Sequence, residues 1–160
     1  YLWTSVPSLS FTAVNEALLL HRAPKLTNFS VLLVYESELK TCLDRWVRFA
    51  TTGKVDRLSL RSSSSYIKPY GYTLPQHLYA DEFVSELDFH FCEIKPKGLV
   101  GWSSLKCLCI GYMALSEDVT NKALMGSPRL EFLKLQNFVD FNRFDILSES
   151  LRKLVIDSCY

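Results

Sequence analysis

The sequence predicts an α/β solenoid, a curved parallel sheet with helices and loops on its convex side. Hydrophobic residues recur six times in the frame L-x-x-L-x-L, at Leu26/Phe29/Val31, Val55/Leu58/Leu60, Val84/Leu87/Phe89, Leu105/Leu108/Ile110, Leu130/Leu133/Leu135 and Leu151/Leu154/Ile156. The frames start at 26, 55, 84, 105, 130 and 151, so at steps of 29, 29, 21, 25 and 21, each long enough for one strand and its return. All eighteen frame positions are Leu, Ile, Val or Phe. A strand alternates its side chains, so the fourth and sixth positions of a frame face a core and the third, fifth and seventh face away.

Those steps lie in or close to the range of leucine-rich repeats. In the third unit Cys92 and Ile94 complete the longer pattern L-x-x-L-x-L-x-x-N/C-x-L, and Cys159 stands at the same offset in the sixth. A cysteine there sits inside the turn after the strand. Residues 1–12, with Trp3, Pro7 and Phe11 among serines, predict an extended connecting piece, followed by a helix near 13–22 that Pro24 stops. From 38 to 51, Leu39, Leu43, Trp46, Val47 and Ala50 form one apolar face, Lys40, Asp44, Arg45 and Arg48 point outward, and Gly53 ends the helix. Serines 62–65 with Tyr66, Pro69 and Gly71 predict a loop, which accounts for the second long step. Ser116, Glu117 and Asp118 start a helix that runs to Met125 and is closed by Gly126 and Pro128; a last helical turn is expected at 146–149.

At 160 residues the chain fits one core or a short solenoid. Its 18 basic and 17 acidic residues give no electrostatic case for nucleic acid or an anionic membrane. No stretch approaches the roughly 18 apolar residues of a membrane span, so a soluble domain is expected. Five cysteines without a C-x-x-C read as small core residues in a reducing compartment, intracellular in cytoplasm or nucleus. The sequon Asn28-Phe29-Ser30 falls inside a predicted strand. The chain starts at Tyr1 without methionine and stops just after a strand, and it reads as a fragment.

The candidate site is the outward face of the strands, expected to be concave: Arg57, Ser59 and Arg61; Glu86, Asp88 and His90; Cys107 and Cys109, with Gly111; Phe132, Lys134 and Gln136; Lys153, Val155 and Asp157. Both charge signs and an aromatic occur on it, as on protein-recognition surfaces. Six strands at about 4.8 Å span roughly 24 Å, wide enough for a protein patch and too shallow for most small-molecule pockets. A merely solvated face is the plainer alternative. Cys107-x-Cys109 invites a metal or redox reading, but no second pair matches it and His21, His77 and His90 lie in different units. There is no phosphate loop, G-x-S-x-G or H-E-x-x-H and no convergent pair of acids, so neither catalysis nor a cofactor is expected.

The segment Tyr1-Leu2-Trp3-Thr4-Ser5-Val6-Pro7-Ser8-Leu9-Ser10-Phe11 resembles the stretch just after the F-box helices in plant F-box/leucine-rich-repeat proteins, and Leu18-Leu19-Leu20-His21-Arg22-Ala23-Pro24-Lys25-Leu26 resembles the start of their repeats. Trp46 and Phe49 before Val55-Asp56-Arg57-Leu58-Ser59-Leu60, then Leu74-Pro75, Trp102-Ser103-Ser104-Leu105-Lys106 and Gly126-Ser127-Pro128-Arg129-Leu130-Glu131-Phe132-Leu133, are similar to further blocks of that family. The resemblance divides the chain into residues 1–12, trailing an F-box, and 13–160, a repeat domain truncated at its carboxyl end. It implies a substrate-recruiting subunit of a Skp-cullin-F-box ubiquitin ligase, with a protein substrate on the concave face and the Skp adaptor bound only where an F-box precedes Tyr1. A stand-alone interaction or inhibitory module, and a repeat fragment of an immune receptor, are the alternatives.

Overall fold

The computed structural model of the chain describes residues 9–22, 25–63, 71–137, 146 and 148–157. In chain order these form α1 (Leu9–Leu20), β1 (Asn28–Val34), a 3₁₀ turn (Ser37–Leu39), α2 (Lys40–Thr52), β2 (Arg57–Ser63), β3 (Tyr72–Thr73), a second 3₁₀ turn (Gln76–Ala80), β4 (Glu86–His90), β5 (Cys92–Glu93), β6 (Cys107–Gly111), α3 (Glu117–Met125), β7 (Phe132–Gln136) and β8 (Lys153–Asp157). One six-stranded sheet, β1-β2-β4-β6-β7-β8, is parallel throughout, and β3 pairs with β5 beside it. This is a leucine-rich-repeat solenoid, in which each strand of the six-stranded sheet lies beside the next strand of that sheet in the sequence.

Register follows the repeat frame position by position. Phe29, Leu58, Leu87, Leu108, Leu133 and Leu154 form one row across the sheet, and Val31, Leu60, Phe89, Ile110, Leu135 and Ile156 the other. The backbone repeats with the same regularity. The carbonyl at the second frame position accepts two N–H groups from the next unit: Asp56 from Ser85 and Glu86, Ser85 from Lys106 and Cys107, Lys106 from Glu131 and Phe132. At the strand ends Phe91, Tyr112 and Asn137 take left-handed φ values of 54°, 54° and 44°, and their N–H groups reach the carbonyls of Gly111, Gln136 and Asp157 in the following strand.

The core is built from these rows and the helix faces. Leu58, Phe89 and Leu105 are fully buried, as are Val47 and Ala50 of α2, Trp102 and Leu130. Burial falls off at both ends of the sheet. In β1 the frame residues are half-buried, and in β8 Leu154 and Ile156 are 41% and 53% exposed, against 1% for each of their partners Leu133 and Leu135. Equivalent frame positions are therefore not equally core, because among the described residues β1 and β8 each have a neighbouring strand on one side only.

The helices refine the sequence reading. Residues 9–12 belong to α1 and are not extended, since Phe11 stacks on Trp46 at 5.9 Å and Asn15 Oδ1 accepts from Trp46 Nε1 at 2.6 Å. That packing against α2 carries the helix back through Ser10; residues 1–8, Ala23 and Pro24 lie outside the described residues. α2 buries Leu43, Trp46, Val47 and Ala50, and Gly53 donates its N–H to Phe49 O at 2.9 Å, although the left-handed residue beyond the helix is Lys54. α3 spans the predicted residues, with the Ser116 hydroxyl accepting from Val119 N at 3.3 Å.

Two loop expectations are corrected. Ser62 is in β2, paired with Leu33, 9% exposed, and its hydroxyl accepts from Tyr35 N at 3.3 Å, so parallel pairing with β1 overrides its turn-forming composition; residues 64–70 lie outside the described residues. No helical turn forms at 146, 148 and 149. There the Ser150 hydroxyl donates to Leu130 O at 2.9 Å and contacts the Ser148 hydroxyl at 3.3 Å, side-chain bonds that compete with a helical backbone.

Candidate protein-interaction face

Alternation along each strand puts one side chain in two on the face of the sheet opposite the core. The predicted site residues all lie there, and the register arranges them in three rungs. One runs Arg57, Glu86, Cys107, Phe132, Lys153; the next Ser59, Asp88, Cys109, Lys134, Val155; the third Arg61, His90, Gly111, Gln136, Asp157.

On β2 and β4 the charges are joined into a network. Arg57 donates to Glu86 at 2.8 Å. Asp88 Oδ2 accepts from Ser59 Oγ at 3.2 Å and from Arg61 Nε at 2.9 Å, while His90 Nε2 lies 3.1 Å from Oδ1. Apart from that ion contact, Oδ1 is buried without a hydrogen-bond partner among the described residues. Burial pushes the Asp88 carboxyl up, but His90 and Arg61 together outweigh it and hold it below the ordinary aspartate value. Asp88 thus points away from the core, as alternation predicts, yet it is the hub of its neighbours.

A consequence can be measured. Asp88→Asn should lower stability at neutral pH by about 1 kcal/mol, a small figure because Arg61 stays half in water. A carboxyl held below its unfolded value adds stability above that value and loses it as pH falls through the folded one. Thermal unfolding of both proteins should therefore converge below about pH 4; a constant gap would assign the loss to packing.

His90 is seated by a missing side chain. A Cβ on Gly111 would lie 2.9 Å from His90 Cε1 and Nδ1, so the ring lies across the glycine backbone. Glycine inside a strand pattern signals such an approach. Beside it, Phe91 and Tyr112 stack at 4.7 Å with 15° between their planes, and Tyr112 lies 5.8 Å from the His90 ring. These two aromatics at the sheet's rim escaped the sequence reading, because they follow the strands, where two-residue alternation no longer assigns a side.

The other strands differ. Lys153 Nζ sits 5.4 Å from the centre of the Phe132 ring, and Gln136 donates to Asp157 at 3.1 Å. Burial pushes the Cys109 thiol up to about 12 and raises Cys107 as well, so both are neutral thiols. Cys92, 3% exposed, lies in the short strand β5 and not in a turn, because it pairs with Tyr72 of β3, and its thiol shares its proton between Leu60 O at 3.6 Å and His90 O at 3.5 Å. Among the described residues Cys42, Cys92, Cys107 and Cys109 are free thiols, and no group of three or more His, Cys, Asp or Glu is arranged to hold a metal ion. No helix among them is long and apolar enough to cross a membrane.

The repeat family described as "FBD-associated F-box protein At5g56370, LRR repeats" matches residues 43–160. The F-box/LRR-repeat protein At5g02910 of Arabidopsis thaliana is 31% identical over 98% of this chain and 36% of its own length. F-box/LRR-repeat protein 25, from the same plant, is 30% identical over 95% of this chain and 60% of its own, and F-box protein At5g03100 is 28% identical over 98% and 52%. No solved structure matches. The chain spans roughly a third to three-fifths of these relatives, and in sequence, repeat frame and strand register it belongs to the plant F-box/leucine-rich-repeat protein family.

Proposed function

We propose that this chain is the protein-binding repeat region of an F-box protein and that its open sheet face receives a substrate for a Skp-cullin-F-box ubiquitin ligase. Catalysis then belongs to the ubiquitin-transfer enzymes, and the repeats raise the effective concentration of substrate lysines near them. The observation that carries this reading is the face itself: three continuous rungs of mixed charge and aromatic side chains across five parallel strands, wide and shallow. A cleft lined by Val31, Leu33, Tyr35, Leu60, Tyr72 and Cys92 encloses only about 10 Å3, room for roughly one water, far below the roughly 300–1,000 Å3 of small-molecule sites. In this reading the residues up to 12 lead back to the F-box, residues 13–160 are the receptor, and the protein works in cytoplasm or nucleus.

The stand-alone binding module is the second reading, since the same rungs of the open face would serve it without an F-box. The codons preceding Tyr1 separate the two: an in-frame F-box supports the receptor, and a start codon near Tyr1 the module. The decisive assay compares protein abundance in plant cells expressing the parent protein or its Arg57→Glu/Lys134→Glu variant. Wild type should deplete a defined set of proteins in a proteasome-dependent way, and the variant should spare them. Equal depletion by both would remove the open face from the mechanism.

A further inference from the structure

The open face is electrostatically divided. On β2 and β4 the charged side chains are paired within the sheet, Arg57 with Glu86 and Arg61 with Asp88, which the His90 ring also contacts. Beyond β6 that ends: among the described residues Lys134 has no ion pair, and the contact of Lys153 is the Phe132 ring. The carboxylate on β8, Asp157, is engaged by Gln136. Between the two halves β6 presents only Cys107, Cys109 and Gly111.

We propose that the β6–β8 half of this face binds an extended acidic segment of a partner protein, two carboxylates two residues apart on Lys153 and Lys134 and an apolar side chain beyond them on β6. The geometry fits that ligand. Lys153 pairs across from Phe132, two residues before Lys134, so the lysine Cα atoms are separated by one strand spacing and two residues, about 8 Å. Alternate side chains of an extended peptide share a side at about 6.6 Å, within reach of flexible lysines. The next residue on that side falls over Cys109 and Gly111, where the neutral thiol accepts an apolar group without stranding a charge. The paired half supplies specificity by contrast: a carboxylate there would have to displace Glu86 or Asp88. Net charge conceals this, since the chain as a whole is nearly balanced.

This inference rests on the reading of the open face as a protein receptor. Its test is fluorescence anisotropy with a labelled serine peptide carrying two glutamates two residues apart and a leucine two residues further on, against versions with glutamine or lysine for glutamate. The glutamate peptide should bind most tightly and weaken with salt. Lys134→Glu/Lys153→Glu should lose roughly tenfold or more, as removal of complementary charge does, while Arg45→Gln, exposed on α2 away from the open face, changes little and circular dichroism stays native. Preferential binding of the glutamine or lysine peptide, weakened by open-face substitutions, would overturn the acidic partner and leave the receptor reading standing. Absence of binding by all three, or binding indifferent to Lys134 and Lys153, would overturn this inference as well, with the abundance assay deciding the receptor reading separately.

Discussion

Leu133→Ala and Leu108→Ala should each lower the free energy of unfolding by about 2–5 kcal/mol, measured by chemical denaturation. Both side chains are 1% exposed. Each stands in the middle of the fourth-position row, Leu108 between Leu87 and Leu133, and Leu133 between Leu108 and Leu154. Truncation removes buried methyl groups and opens a cavity, and the cavity resists collapse because parallel ladders on both sides fix the strand. Leu154→Ala is the internal comparison. It occupies the same frame position but is 41% exposed, so its loss should be well below that of Leu133. Near-neutral stability at Leu133, or equal losses at both positions, would break the equation of repeat row with core.

Trp102→Ala should cost as much or more, about 3–5 kcal/mol. The indole is fully buried, its ring lies 5.8 Å from Tyr79, and Nε1 donates to Leu78 O at 2.8 Å. Alanine removes one of the two buried tryptophans of the described core and one of the two donors to that carbonyl, which keeps the Asp81 N–H at 3.2 Å. Trp102→Phe separates the two effects: it keeps most of the ring volume, and Leu78 O keeps the Asp81 N–H, so its loss should approach the roughly 0.5–1.5 kcal/mol of one hydrogen bond. If phenylalanine costs as much as alanine, the indole hydrogen bond dominates; if it costs nothing, the Asp81 N–H alone satisfies Leu78 O. Tyr79 is tied into the same region through its hydroxyl, which accepts from Lys95 N at 2.8 Å, so slackening of the 3₁₀ turn there should accompany either change.

Much of this fold was legible before any coordinates, and the reason is mechanical. A strand buried on one side and open on the other writes its phase as alternation, so the frames at 55, 84, 105 and 130 fixed strand, side and register together. α3 was legible because Ser116, two acids and Gly126 mark its ends chemically. What sequence could not place depended on partners distant in the chain. Helix α1 is extended by Trp46, Ser62 is drawn into β2 by β1, and Ser150 is held by Leu130. The face was legible as a set of residues but not as a circuit. Glu86 and Asp88 read as equivalent outward acids, yet Glu86 meets Arg57 while Asp88 gathers Ser59, Arg61 and His90, so reversing Asp88 disturbs its neighbours as well as any partner.

The even spacing of core and face residues within each strand also bears on how such a protein changes over generations. Every strand keeps its place through the fourth and sixth frame positions and through carbonyls that bond only to the adjoining unit. The third, fifth and seventh positions carry none of that duty, except where Asp88 has recruited neighbours of its own. If the open face is the receptor proposed above, a single nucleotide change at Lys134 or Cys109 would therefore rewrite what one unit recognises while the units on either side go on recognising what they did. A lineage of duplicated genes built on this plan could diverge in targets one strand at a time, each intermediate still folded and still selectable.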